Sequence, residues 1–112
     1  MPNLFTINGH SYPDTGTLEI PAGKPVLLRL VNAGQMAHPL HLHGTAFRVV
    51  ARDGHAASGT GLRDTVTLES GERADIEFRL PKGKWILHCH IGHHLTNAGE
   101  GPGGLIQLIR SA

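Results

Sequence analysis

Asp75-Ile76-Glu77-Phe78-Arg79-Leu80 alternates polar and apolar side chains over six residues, the period of a strand with one face buried and the other in water. The same kind of segment recurs on both sides of it. Short apolar or β-branched stretches lie at residues 4–7, 18–20, 26–31, 47–50, 65–68, 74–80, 85–90 and 105–109. Between them stand turn signals: Asn8-Gly9, Pro13-Asp14, Pro21-Ala22-Gly23, Asp53-Gly54, Ser70-Gly71 and Pro81-Lys82-Gly83. Seven or eight short strands at this spacing predict an all-β, antiparallel sandwich. Val26-Leu27-Leu28-Arg29-Leu30-Val31 is nearly all apolar and reads as a strand buried on both faces. Residues 92–97 are the only helix candidate, and the glycine-rich stretches 54–61 and 98–104 are the most loop-like.

The chain has 112 residues, room for one domain, taken as 1–112, that buries about two-thirds of its unfolded surface. Ten Lys+Arg against nine Asp+Glu give a net charge of +1 with no basic run, which argues against nucleic acid and anionic membrane as partners. No apolar run approaches the ~18 residues of a membrane span. The N-terminus lacks a basic segment followed by an apolar one, so no export signal is expected. A single cysteine forbids an internal disulfide.

Histidine is the unusual residue. Seven of the nine fall in two windows, His38-Pro39-Leu40-His41-Leu42-His43-Gly44 and His88-Cys89-His90-Ile91-Gly92-His93-His94. His10 and His55 stand apart and read as solvated. Residues two apart on a strand share a face, so His41 pairs with His43, and His88 with His90, while Cys89 points to the opposite side. Cys89 then needs partners on its own side, and His38 and His94 are the candidates. One Cys with two His in a trigonal set is the ligand set of a blue-copper electron-transfer centre. A zinc site is the competing reading, but a closed tetrahedral set leaves three or four histidines without a role. Cys89 as an inert buried thiol, or as a Cys-His nucleophile, leaves the second cluster unexplained.

These two motifs resemble the paired copper-binding signatures of the multicopper oxidases, the laccase and bilirubin oxidase group, in their C-terminal cupredoxin domain. Phe5-Thr6-Ile7-Asn8-Gly9, Leu30-Val31-Asn32-Ala33-Gly34, Asp64-Thr65-Val66 and Gly83-Lys84-Trp85 sit where that domain has similar runs, so the resemblance covers nearly the whole chain. It implies a Greek-key β-sandwich of the cupredoxin kind. By the resemblance, His38, Cys89 and His94 hold a type 1 copper, His41 a type 2 copper, and His43, His88 and His90 a type 3 pair. Electrons from a small reducing substrate (a phenol, an aromatic amine or a metal ion) would pass through Cys89 to a trinuclear cluster that reduces dioxygen to water. The family is usually exported.

The chain departs from the family pattern in the stretched loop before Leu105, which follows Gly104 and aligns with the axial position of the type 1 site. Leu105 as plain core is the competing reading, and Met1 and Met36 are not placed for the axial role. His93 stands where the family often has an acid and reads either as a proton relay to the cluster or as a solvated histidine. Size is the larger departure. Family members carry two, three or six such domains with the cluster between two of them, each side giving four histidines. This chain has His41, His43, His88 and His90, half of the set. Two copies facing each other isologously would complete it, with a further step to a trimer of dimers open. Such an assembly carries about 2.5 coppers per chain. The alternatives are a blue-copper electron carrier, and a detached copper-binding domain of a larger oxidase without turnover.

Overall fold

The structure, a computed structural model, describes residues 5–57, 61–95 and 103–112, with the backbone alone for residues 92 and 93. Among these the elements run β1 (Thr17–Ile20), β2 (Val26–Val31), β3 (His38–Leu42), β4 (Arg48–Arg52), β5 (His55–Ala56), β6 (Thr65–Leu68), β7 (Arg73–Phe78) and β8 (Gly83–Cys89). A single turn of 3-10 helix, Gly92–Leu95, and strand β9 (Ile106–Ser111) follow. Two sheets form, one in the order β1-β9-β8-β3-β6 and the other β2-β7-β4-β5. Neighbours in space are mostly not neighbours in sequence, which is the Greek-key sandwich expected. No helix among the described residues is long and apolar enough to cross a membrane.

Period-2 patterning does the folding work. In β7, Ala74, Ile76 and Phe78 are buried while Arg73 and Glu77 are exposed, and Asp75 is half-buried. Facing them from the other sheet are Leu42, Val66, Leu68, Leu87 and Ile109, all in one cluster with Phe47 and Leu80. Each such fully buried side chain contributes about 1.5–3 kcal/mol. Ser111 is buried at the end of β9 and donates its hydroxyl to Leu80 O at 3.1 Å, so no polar atom is left unpaired there.

The structure corrects the sequence reading at three points. Val26–Val31 is not buried on both faces: Leu27 and Val31 are 61% and 62% exposed, alternating with half-buried Val26, Leu28 and Leu30. The sandwich has two layers only, so one face of β2 has nothing to cover it. The sheets are not wholly antiparallel, since β1 and β9 run parallel, with Leu18 opposite Ile109. Of the strand expected at residues 4–7, the described part forms no ladder; Ile7 only makes an isolated bridge to His10. The short helix candidate at 92–97 is present as a single 3-10 turn, Gly92–Leu95, and residues 96 and 97 lie outside the described residues.

Gly44, just past β3, has φ +92°, and a Cβ there would sit 2.6–2.8 Å from Trp85 Cζ3 and Cδ2. Only glycine lets the backbone turn there against the indole. The turn ends the strand that carries the first histidine motif.

Candidate metal centre

β3 and β8 lie side by side, antiparallel, with Leu40 opposite Cys89, His41 opposite His88 and Leu42 opposite Leu87. The pairing runs past both strand ends: His43 N donates to Ile86 O at 2.9 Å and His90 N to Pro39 O at 2.7 Å. The register brings the two histidine motifs together, and the pleat then sorts their side chains by parity. Leu42, Leu87 and Cys89 are buried on the core side. His38 has the parity of Leu42 and points with them. His41, His43, His88 and His90 have the other parity and gather in one outward patch.

In that patch the ring centroids lie 4.9 Å apart for His41–His43, 4.5 Å for His41–His90, 4.9 Å for His43–His88 and 5.3 Å for His88–His90. His43 and His90 are exposed and His41 and His88 half-buried. His41 Nδ1 sits 2.9 Å from Asp64 O and 3.2 Å from Thr65 Oγ1, and His88 Nδ1 2.8 Å from Cys89 O. A carbonyl oxygen can only accept, so in both rings Nδ1 donates and Nε2 keeps its lone pair. This is the orientation that prepares imidazole for a metal. Nε2 of His88 faces Nε2 of His43 at 2.9 Å. Burial, and then the charges of His88, His41 and His90, push the His43 pKa below its ordinary value, so His43 disfavours a proton.

On the core side the chain folds back. The 3-10 turn after β8 is closed by His94 N donating to Ile91 O at 2.9 Å, and Leu105 N donates to His94 O at 2.9 Å. His94 is thereby brought under the strand, 1% exposed, with Nδ1 3.4 Å from Cys89 Sγ. His38 Nδ1 lies 3.7 Å from the sulfur and 3.0 Å from His94 Nδ1. A point equidistant from these three atoms is about 2 Å from each, close to the bond from an imidazole nitrogen to a divalent transition metal (about 2.0–2.1 Å for zinc). Among the described residues this is the one group of His, Cys and acids with ligand atoms close enough to share an ion. Burial lowers the His38 pKa and raises that of the Cys89 thiol, the latter opposed by the Ile91 backbone. His38 is therefore ready as a neutral ligand, and Cys89 must release a proton on binding.

Leu105 is buried in one cluster with Phe5 and Cys89, and its carbonyl accepts from Cys89 N at 3.2 Å. Met36, read from the sequence as not placed for the axial role, packs against the same cluster with Ile7, Leu40 and Leu95. The side chain of His93 lies outside the described residues. His10 and His55 are exposed and belong to neither group. Sequence reasoning missed two supports. Asn32, 7% exposed, donates its amide to Met36 O and Leu68 O and accepts from Gly34 N, bracing the loop that leads to His38. Its signal was a polar residue at the end of an apolar strand just before a glycine. Phe5, which stacks on His94 with centroids 4.3 Å apart, carried no such signal, because its partner is distant in sequence. A cleft of about 930 Å³, lined by Leu28, Leu30, Met36 and Leu40 among others, reaches His38 from solvent.

Comparisons with known proteins give the family and the fold. A family model described as "Multicopper oxidase" matches residues 1–99. The multicopper oxidase MmcO of Mycobacterium tuberculosis is 36% identical over 92 residues, covering 80% of this chain and 18% of its own length. Laccase-5 of Trametes villosa is 39% identical over 97 residues, covering 79% of this chain and 18% of that protein. Among solved structures, the blue copper oxidase from Nitrosomonas europaea superposes with a TM-score of 0.92 at 32% identity, over 97% of this chain and 35% of that one. The multicopper oxidase mgLAC gives 0.94 at 33% identity, over 99% and 35%. The chain thus spans about a fifth of these curated relatives and about a third of these solved chains.

Proposed function

The chain belongs to the multicopper oxidase family, and we propose that residues 1–112 work as one cupredoxin-like copper-binding domain of an oxygen-reducing oxidase. In this reading His38, Cys89 and His94 hold a type 1 copper in each chain. His41 provides a ligand to a type 2 copper, and His43, His88 and His90 ligands to a type 3 pair, both shared with an identical chain across a two-fold axis. When bound, copper supplies the one-electron oxidation of a donor at the first site and the reduction of dioxygen to water at the second.

The observation that carries the reading is the parity of β3 and β8. One buried thiol with two imidazoles faces the core, and four imidazoles crowd the other side of the same strand pair. The buried soft sulfur with two nitrogens fits copper in a trigonal site. Cys89 is bonded through the backbone to both His88 and His90, so the chain itself links the two groups. A carrier that only passes electrons needs the core-side trio; the outward patch, with Nε2 of His41 and of His88 left as acceptors by their Nδ1 hydrogen bonds, favours the oxidase over the carrier. Four histidines packed within hydrogen-bond and stacking range, and partly exposed, are a half-site that a facing copy would complete.

The residues also suggest the donor. The cleft that ends on His38 has the size of a small-molecule site, and its lining holds no carboxylate among the described residues. That favours phenols and aromatic amines over metal cations. His38, half-buried, is the more accessible of the two imidazoles beside the sulfur.

Native mass spectrometry of the copper-loaded chain, with bound metal counted, tests the proposal. An even number of chains with about 2.5 coppers each is expected. A monomer with a single copper would reduce the function to electron carriage.

A further inference from the structure

His41 and His88 are held by hydrogen bonds from Nδ1 to carbonyl oxygens. His94 is different, because its Nδ1 is turned toward Cys89 Sγ and His38 Nδ1. The ring is also flanked by other rings. His38 meets it edge-on at 4.8 Å, and Phe5 lies across it at 4.3 Å between centroids with 31° between planes. Phe5 is 5% exposed and shares a cluster with Cys89 and Leu105.

The segment that brings Phe5 there is sewn to the strand region that holds His94. Tyr12 N donates to Gly104 O at 3.0 Å and Thr15 Oγ1 to Ile106 O at 2.7 Å, while Ser11 Oγ donates to Phe5 O at 2.6 Å within the segment itself. Gly104 precedes Leu105, whose own N–H donates to His94 O. Residues 5–15 thus form a strap over the core-side trio, fastened on both sides of Leu105, with an aromatic face laid on one of its imidazoles.

We propose that Phe5 is a positioning residue of the His38/Cys89/His94 centre. Its ring fixes the plane of the His94 imidazole so that Nδ1 stays directed at the sulfur, and with Leu105 it keeps water off the thiolate. The reason is rotational. The terminal torsion of histidine is broad and roughly two-fold, so a ring without a stacked neighbour samples orientations in which Nδ1 misses the metal. Stacking removes that freedom before the ion arrives, which raises affinity by preorganisation. The inference rests on reading this trio as the copper site.

Phe5→Leu and Phe5→Tyr separate positioning from mere packing. Leucine keeps an apolar side chain but no ring face; tyrosine keeps the face. For Phe5→Leu we expect a thermal midpoint within a few degrees of the parent, about tenfold weaker copper binding and a shifted, weaker thiolate-to-copper band; Phe5→Tyr should keep parental affinity and band. In the metal-free protein, the His94 ring proton resonances should broaden in Phe5→Leu, beyond the loss of ring-current shift that removal of any aromatic neighbour brings. Parental copper affinity and band in Phe5→Leu, or His94 ring signals that do not broaden, would overturn the inference. If the parent protein binds no copper while those metal-free signals still broaden, the copper reading fails and the positioning of His94 by Phe5 stands.

Discussion

In His88→Ala, oxygen uptake with a phenolic donor falls to background, a loss of about a hundredfold or more, while the intense blue absorption stays. Loss of a hydrogen-bonded neighbour of a metal ligand alone typically costs 10–100-fold in affinity or activity, and here a proposed ligand itself is removed. His88 lies opposite His41 in the β3–β8 register and directs Nε2 at His43 Nε2, so its removal opens the centre of the outward patch. Two copies facing each other would lose two of six type 3 ligands at once. The core-side trio is spared because residue 88 has the wrong parity to reach it: Cys89 and Leu87, its neighbours, are the buried ones. The backbone pairing does not depend on the imidazole, and replacement of a half-buried side chain at this position costs the fold little. Oxygen uptake and visible absorption measured on the same copper-loaded sample check both halves of the result. Intact uptake would remove the patch from the chemistry.

Cys89→Ser has the mirror-image outcome. The blue absorption disappears completely, because it arises from charge transfer out of a thiolate and a serine hydroxyl at neutral pH offers neither the anion nor the soft donor. Donor oxidation stops with it. The oligomer persists, since Cys89 is 0% exposed and faces the core while the proposed contact surface is the opposite side of the strand. Burying a hydroxyl where a thiol stood costs about 1–3 kcal/mol unless it finds a partner; here His94 Nδ1 and His38 Nδ1, 3.4 and 3.7 Å from the sulfur, are within reach of small adjustments. Visible spectra and native mass of the variant check the two statements. Dissociation into single chains would contradict the placement of Cys89 away from the interface.

Much of this was legible before any coordinates. The alternation in Asp75–Leu80 marks a half-buried strand, and the same rule applied to the two histidine motifs sorts Cys89 from His88 and His90. What sequence alone could not tell was layer number and long-range partnership. Val26–Val31 looks doubly buried because its composition is apolar, yet burial needs a covering layer and none lies over Leu27 and Val31. The parallel β1–β9 pair joins strands from opposite ends of the chain, a closure that local patterning does not encode. Phe5 on His94 and Met36 against the sulfur cluster are of the same kind, contacts across loops of which the sequence carries no period.

Electron paramagnetic resonance of the copper-loaded assembly tests the shared half-sites most directly. If two chains build one cluster between them, the type 3 pair is coupled and silent, and the integrated type 2 signal is about half the type 1 signal, one for every two chains. Equal type 1 and type 2 intensities, or a type 1 signal alone, would contradict the account.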